Sequence, residues 1–345
     1  MSEDETQPIE TTKQITIEEG IIKGTSWPTM KKVIASGINT VGDLARQTPT
    51  TLKEQSGVGL DTCEKYINAA LDMVNEGVIT GEQLWNKIKN YKRLTTGSHA
   101  VDEILKRPSL EGFIEEARGG IEEHTTTEVI GENGSGKTQL MHQLAINAQL
   151  LIEEGGLNGK VVWIDTENTL RPERIAEICL ARGYDPHKIL SGIIYEEALH
   201  SLHLQSIVAK LPRLCHDYNI KLVIVDSMMA HLRSEYIGRG SLADRQQLLN
   251  DILQRLGKIA QAHNLTVIYT NQVMDSPTGY GNPLKAVGGH IMGHASTLRL
   301  FIRKGRSGTR IIKVLKSPYM PEREATFRIT NRGIEDVEGK EEDAP

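Results

Sequence analysis

Apolar and polar positions change rhythm part-way along the chain, near Thr125. From 20 to 74 the apolar residues recur at short helical spacings, punctuated by Trp27-Pro28, Ser36-Gly37, Thr48-Pro49 and Ser56-Gly57-Val58-Gly59. Such punctuation predicts a compact unit of short helices. Beyond Thr125, β-rich apolar runs at 128–130, 161–165, 221–226 and 266–271 alternate with helical patterns at 137–152, 172–182, 199–218 and 242–263. Parallel neighbours need a crossover, usually a helix, so this alternation predicts a mostly parallel sheet covered on both faces. Later runs at 297–303, 310–315 and 325–330 are joined by turns and predict an antiparallel extension. The expected organisation is an acidic tail over 1–19, a helical domain over 20–75, a linker over 76–93, an α/β core over 94–336 and a second acidic tail over 337–345.

Composition narrows the partners. The net charge of −5 rules out a globally basic nucleic-acid binder, so any DNA contact must be local. Cys63, Cys179 and Cys215 are odd in number and lack metal-ligand spacing, which points to a reducing compartment without disulfides or a zinc site. No basic segment followed by an apolar run opens the chain, and no stretch approaches the ~20 apolar residues of a membrane span. A cytoplasmic protein without a membrane partner is expected.

Gly131-Glu132-Asn133-Gly134-Ser135-Gly136-Lys137-Thr138 follows an apolar strand and precedes a helix, the context a P-loop requires. Its glycines let backbone N–H groups wrap phosphates, Lys137 neutralises phosphate charge, and the Thr138 hydroxyl can ligate Mg2+. ATP and Mg2+ are the expected cofactors. The run 222–226 ends in Asp226, which at the strand's C-terminal edge would hold the metal through water. A carboxylate must also orient water for attack. Glu167, just past the strand at 161–165, is best placed, with Asp165 as competitor. Two loops leave the same edge: 233–240, with Arg233 and Arg239 around Tyr236, suits phosphate contact and base stacking, while 274–293 is long and aperiodic. Lys285, Gly288 and Gly289 in the second are candidate DNA contacts. In the helical domain, Gly57 and Gly59 flank a helix start that can hold a DNA phosphate, with a plain interhelical turn as the competing reading.

These residues together resemble the archaeal RadA branch of the RecA/RadA family of strand-exchange ATPases. The resemblance runs over about 20–336 and rests on Leu94-Thr95-Thr96-Gly97-Ser98, the P-loop with Gln139-Leu140, and Ile164-Asp165-Thr166-Glu167-Asn168-Thr169-Leu170-Arg171-Pro172-Glu173-Arg174. It rests also on Val225-Asp226-Ser227, Glu235-Tyr236-Ile237-Gly238-Arg239-Gly240, Asn271-Gln272-Val273-Met274 and Gly288-Gly289-His290-Ile291-Met292-Gly293-His294. It implies a RecA-like P-loop core preceded by a helix-hairpin-helix domain. It further implies a helical filament on single-stranded DNA with ATP between neighbours, closed rings without DNA as another assembly, pairing with homologous double-stranded DNA, and recombination mediators as partners. A nucleoid-associated place in the cytoplasm follows.

By the same resemblance Glu167 activates water and Gln272 and His294 link the γ-phosphate to the second loop. Gln139 and Arg174 lie by the nucleotide, Pro321 approaches the base from the adjacent subunit, and Arg233, Arg239 and Arg245 meet DNA, Arg245 alternatively being a helix-surface residue. A paralogue or mediator that binds ATP and DNA but exchanges strands poorly is the competing function.

Three departures stand out. The family's Phe-x-x-Ala docking motif is Val78-Ile79-Thr80-Gly81 here, and the acidic residue before Ser-Pro is Lys316, whose ammonium could replace a cation at the neighbour's γ-phosphate, aided by Lys313. The stretch 106–118 is inserted before the P-loop strand, and the sequence assigns it no role.

Overall fold

Four helices, α1 (Trp27–Ala35), α2 (Val41–Ala45), α3 (Pro49–Ser56) and α4 (Leu60–Val74), lead the computed structural model, which describes residues 14–74, 77–110, 118–238, 240–275, 284–286 and 288–337. Their ends are set by local chemistry. The Thr40 hydroxyl accepts from the Asp43 amide at 3.0 Å and the Asp43 carboxylate from the Thr40 amide at 3.2 Å, a reciprocal cap that starts α2. Thr48 caps α3, with Pro49 at its first position, and Gly57 ends it in the left-handed conformation at φ 69°. Met30, Val33, Leu44, Leu52, Tyr66 and Ile67 join a core that these helices share with Ile17, Ile22, Ile38 and Val58 of the segments around them.

After α5 (Gly81–Ile88) come β1 (Arg93–Leu94), α6 (His99–Ile104) and β2 (Ile121–Glu122), with β1 and β2 paired antiparallel. The core then runs β3 (Thr126–Gly131), α7 (Lys137–Asn147), β4 (Lys160–Asp165), α8 (Pro172–Arg182), α9 (Pro186–Ser191), β5 (Ile193–Glu197), α10 (Ser201–Asp217) and β6 (Ile220–Asp226). It continues with α11 (Ala230–Glu235), α12 (Leu242–Ala262), β7 (Thr266–Asp275), β8 (Leu284–Ala286), α13 (Gly289–Ala295), β9 (Leu298–Lys304), β10 (Arg310–Lys316), β11 (Glu324–Thr330) and β12 (Gly333–Asp336).

One large sheet follows the order β12-β11-β10-β9-β3-β7-β6-β4-β5, and β8 pairs with β7. The stretch from β9 to β5 is parallel, and β9 to β12 pair antiparallel. Successive side chains of a strand face opposite sides. Accordingly Val161 and Trp163 join Leu140, Met141 and Leu144 of α7 on one face, while Val162 and Ile164 join residues of α10 and α12 on the other.

The helical unit meets α12 through polar contacts. Asp43 reaches His263 Nε2 at 2.8 Å, Lys258 Nζ donates to Arg46 O at 3.0 Å and Gln14 Nε2 to Ala262 O at 2.8 Å. Burial pushes the Asp43 carboxyl up, but hydrogen bonds from His263 and Thr40 outweigh it and hold the group below the usual carboxylate range.

The structure departs from the sequence expectation at several places, among them β8, β12 and the helix α9, which the apolar pattern did not mark. The helix expected over 137–152 stops at Asn147, and the turn that follows packs tightly enough that a Cβ on Gly156 would lie 2.1 Å from Leu150 O. The edge strand β5 was not foreseen, and the second loop contains the short helix α13.

Candidate functional site

β3 delivers the chain to the phosphate-binding loop at Gly131, and α7 leaves it at Lys137. A Cβ on Gly131 would fall 2.4 Å from Ile302 O and 2.6 Å from Ser135 Oγ, and one on Gly136, at φ 109°, 2.7 Å from Ile329 Cδ1. Only glycine permits this close-wound loop. Ser135 Oγ is buried without a hydrogen-bond partner, and Lys137 Nζ donates to Gly131 O and Glu132 O, each at 2.9 Å. Burial lowers the Lys137 pKa, opposed by the charges of Asp226 and Glu167. A wound loop, an unpaired hydroxyl and a lysine facing two carboxylates fit a nucleotide phosphate with its cation.

Asp165 and Asp226 end adjacent parallel strands and lie directly opposite in register. Their surroundings separate their roles. Asp165, fully buried, accepts from the amides of Glu167 at 3.1 Å, Thr169 at 2.8 Å and Leu170 at 2.9 Å, so it winds the segment that presents Glu167. Asp226 accepts from Thr138 Oγ1 at 2.8 Å, Thr169 Oγ1 at 2.9 Å and the Thr270 hydroxyl. Burial raises its pKa, and these hydrogen bonds counter the rise. Thr138 and Asp226, the pair able to hold Mg2+, are thus in contact.

Glu167 Oε1 accepts from Ser227 Oγ at 2.5 Å and Gln272 Nε2 at 3.4 Å, and Gln272 Oε1 accepts from Arg233 Nη1 at 3.2 Å. One line of contacts therefore leads from the carboxylate beside the phosphate loop to the first surface loop. A cavity of about 330 Å³ opens beside it, lined by Ser227, Met229, Ala230, Arg233, Ser234 and Gln272. Beneath lies a buried polar group that spacing did not reveal: Glu128 accepts from Asn271 Nδ2 at 2.7 Å and Arg299 Nε at 2.6 Å, and Asn271 Oδ1 accepts from the Gln272 amide at 2.8 Å.

The remaining candidates are dispersed around this centre. Arg174 donates to Gln139 Oε1 at 2.8 Å and Thr330 O at 2.5 Å, above the start of α7. Lys316 Nζ donates to Gly293 O at 2.7 Å, Ser296 O at 2.8 Å and His294 O at 3.4 Å, closing the C-terminal end of α13. Lys313 instead pairs with Glu322 at 2.8 Å. Pro321 is exposed, Tyr236 caps α11, and Arg245 lies in the first turn of α12. Gly288 precedes α13 with φ 88°, Gly289 opens that helix, and Lys285 lies in β8 opposite Met274. Arg239 and 276–283 lie outside the described residues. Gly57 and Gly59 are exposed, with open space where a Cβ would go. The Gly57 amide is spent on Lys53 O at 2.9 Å, leaving any ligand to the helix start beyond. Thr169, Ser227 and Thr270 escaped sequence reasoning because their hydroxyls meet Asp226 and Glu167 only once β4, β6 and β7 lie side by side.

A family model described as Rad51 matches residues 87–337. "DNA repair and recombination protein RadA" of Aeropyrum pernix is 41% identical over 318 residues, covering 92% of this chain and 96% of that protein. Proteins of the same description from Ignicoccus hospitalis and Cenarchaeum symbiosum are 42% and 40% identical over 323 and 324 residues. Each alignment covers 92% of this chain, with 95% of the first protein and 78% of the second.

Proposed function

This chain belongs to the Rad51 family, and from that membership we propose that it serves DNA repair and recombination as a DNA-dependent ATPase. It assembles as a helical filament on single-stranded DNA, pairs that strand with homologous duplex and exchanges strands. The observation that carries the reading is the line Glu167–Gln272–Arg233, which joins a phosphate-binding loop to a surface loop able to meet DNA.

In this mechanism the amides of 131–138 and the Lys137 ammonium hold the triphosphate of ATP. Thr138 and Asp226 would hold Mg2+, which when bound would supply charge neutralisation at the phosphate. Glu167 orients water and takes its proton, while Ser227 and Gln272 fix the carboxylate's direction. Asp165 winds the segment beneath. Arg174 and Gln139 lie to the side where the base is bound, and Pro321 covers the base held by the adjacent copy. A DNA phosphate at Arg233 competes with Gln272 Oε1 for the guanidinium, which makes turnover sensitive to DNA. Arg239, Arg245, Tyr236, Lys285 and the turn at 288–289 supply further backbone and stacking contacts. The helix start after Gly57 and Gly59 holds duplex phosphate.

Copies join head to tail. Val78 is fully exposed at 104% relative accessibility, and β5 pairs only with β4 among the described residues, leaving an edge that carries exposed Tyr195 and is followed by exposed Leu199. An exposed apolar segment and an open edge are complementary features for strand addition. Among the described residues no helix is long and apolar enough to cross a membrane, and the proposed setting is the cytoplasm, on the nucleoid.

The test is strand exchange between a labelled single strand and homologous duplex, with ATP and Mg2+, for wild type and Glu167→Gln, alongside DNA-stimulated phosphate release. Wild type should exchange strands. The variant should keep ATP-dependent DNA binding and lose about 10²-fold or more in turnover. DNA binding by wild type without exchange or stimulation would reject strand exchange in favour of a mediator role, which the replacement of Phe by Val78 favours.

A further inference from the structure

Arg107, in the stretch to which the sequence assigns no role, has a defined place in the structure. Its guanidinium, on a side chain only 11% exposed, donates to Glu122 Oε2 at 2.6 Å and to Ile88 O at 3.2 Å. It also lies 5.6 Å from the Trp85 ring centroid and 5.5 Å from that of Tyr319, within range of cation–π attraction. Glu122 is shared with Arg93, and the Tyr319 hydroxyl accepts from Arg93 Nη2 at 2.7 Å while donating to Glu122 at 3.2 Å. Four parts of the chain therefore converge on one cluster: α5, the stretch after α6, the turn after β10, and the paired strands β1 and β2 that carry Arg93 and Glu122.

What the cluster holds is more telling than the cluster itself. α5 has no fully buried residue, so its own burial cannot fix its position. Arg107 supplies the anchor twice, through the Trp85 ring and the carbonyl of the helix's last residue, where a cation also suits the helix dipole. The N-terminal end of α5 starts at Thr80, two residues from the exposed Val78. On the other side, Tyr319 lies two residues before Pro321.

We propose that Arg107 is a positioning residue that joins the docking segment at 77–81 to the nucleotide-covering turn at 317–321. Seating one copy on the next then sets Pro321 over the neighbour's nucleotide. By linkage, nucleotide must tighten the seating by the same factor. This inference rests on the head-to-tail assembly and on the role of Pro321 proposed above.

The test uses the full chain and a non-hydrolysable ATP analogue, with assembly followed by sedimentation velocity across protein concentration. In wild type the analogue should lower the half-assembly concentration by about tenfold, within the usual range of allosteric coupling. In Arg107→Met the shift should shrink to less than about twofold, with DNA-bound kcat kept and KM for ATP raised. Glu122 retains Arg93 in that variant, and an unchanged circular dichroism spectrum and melting cooperativity will establish that it folds. Tyr319→Phe, which keeps the ring, should retain most of the shift and so separates the ring contact from the hydroxyl. A full shift in Arg107→Met overturns the coupling alone. An analogue that leaves wild-type assembly unmoved, or a shift indifferent to Pro321→Gly, removes the reading of Pro321 and the coupling with it.

Discussion

His142 shows how a single side chain ties chemistry to stability. It is buried on α7 one turn after Thr138, and its Nε2 accepts from the Arg171 amide at 3.1 Å, so it braces the segment that carries Glu167. Burial lowers its pKa from 6.5 to about 4. The native state therefore binds this proton less readily than the unfolded chain does. The contribution is fully present above about pH 6.5 and is lost as pH falls towards 4, amounting to roughly 2 kcal/mol between pH 7 and pH 5. Urea unfolding at the two pH values should show that loss in wild type and a smaller one in His142→Gln. Equal slopes would show that His142 titrates alike in both states. Asp165 and Glu167 make a related point about legibility: both are visible as carboxylates near a strand end, but only the three amides gathered by Asp165 distinguish the organiser from the group left to face the phosphate loop.

At the scale of elements, Glu128 stitches three strands together, standing on β3 and holding Asn271 of β7 and Arg299 of β9. Glu128→Ala would leave a guanidinium and a buried amide without their acceptor, at a cost of about 3–5 kcal/mol. Denaturant midpoints will measure it, and a loss below about 1 kcal/mol would mean that solvent substitutes for the carboxylate. Lys316 acts on α13 instead, with donors directed at three carbonyls near the helix's end. If that ammonium serves as a tethered cation shared with the neighbour's γ-phosphate, DNA-stimulated hydrolysis should be insensitive to potassium, and Lys316→Asp should make it potassium-dependent. A strict potassium requirement in wild type would refute that role.

The strands β4, β6 and β7 were legible because doubly covered strands carry long apolar runs, and β3 through Val129 and Ile130 directly before the glycine-rich loop. β5, reading Ile-Ile-Tyr-Glu-Glu, was not, because an edge strand buries so little that its sequence carries no such run. α13 was hidden by its glycines. Thr270 could not be paired with Asp226 before register placed Tyr269 opposite Val225.

The whole molecule combines a helical unit with its own core, a sheet covered on both faces, and a linker whose helix is clasped by Arg107. Its net charge of −5 is unhelpful for binding DNA as a body, so in the proposed filament affinity would come from local contacts repeated from copy to copy. Repetition has a further consequence for the exposed Val78. In the proposed head-to-tail assembly each copy offers the projecting Val78 and the open β5 edge, a directional arrangement that continues indefinitely unless something blocks it. A copy carrying Val78→Glu keeps its receiving edge and loses its projecting end, so it can be captured by a growing chain but cannot extend it. Mixed with wild type it should behave as a chain terminator, with mean polymer length falling as the reciprocal of its fraction. Electron microscopy of such mixtures would show the shortening, and lengths that ignore the variant would place the joint elsewhere. A damaged copy would then be dominant in its effect, since the harm it does scales with the number of intact neighbours it strands.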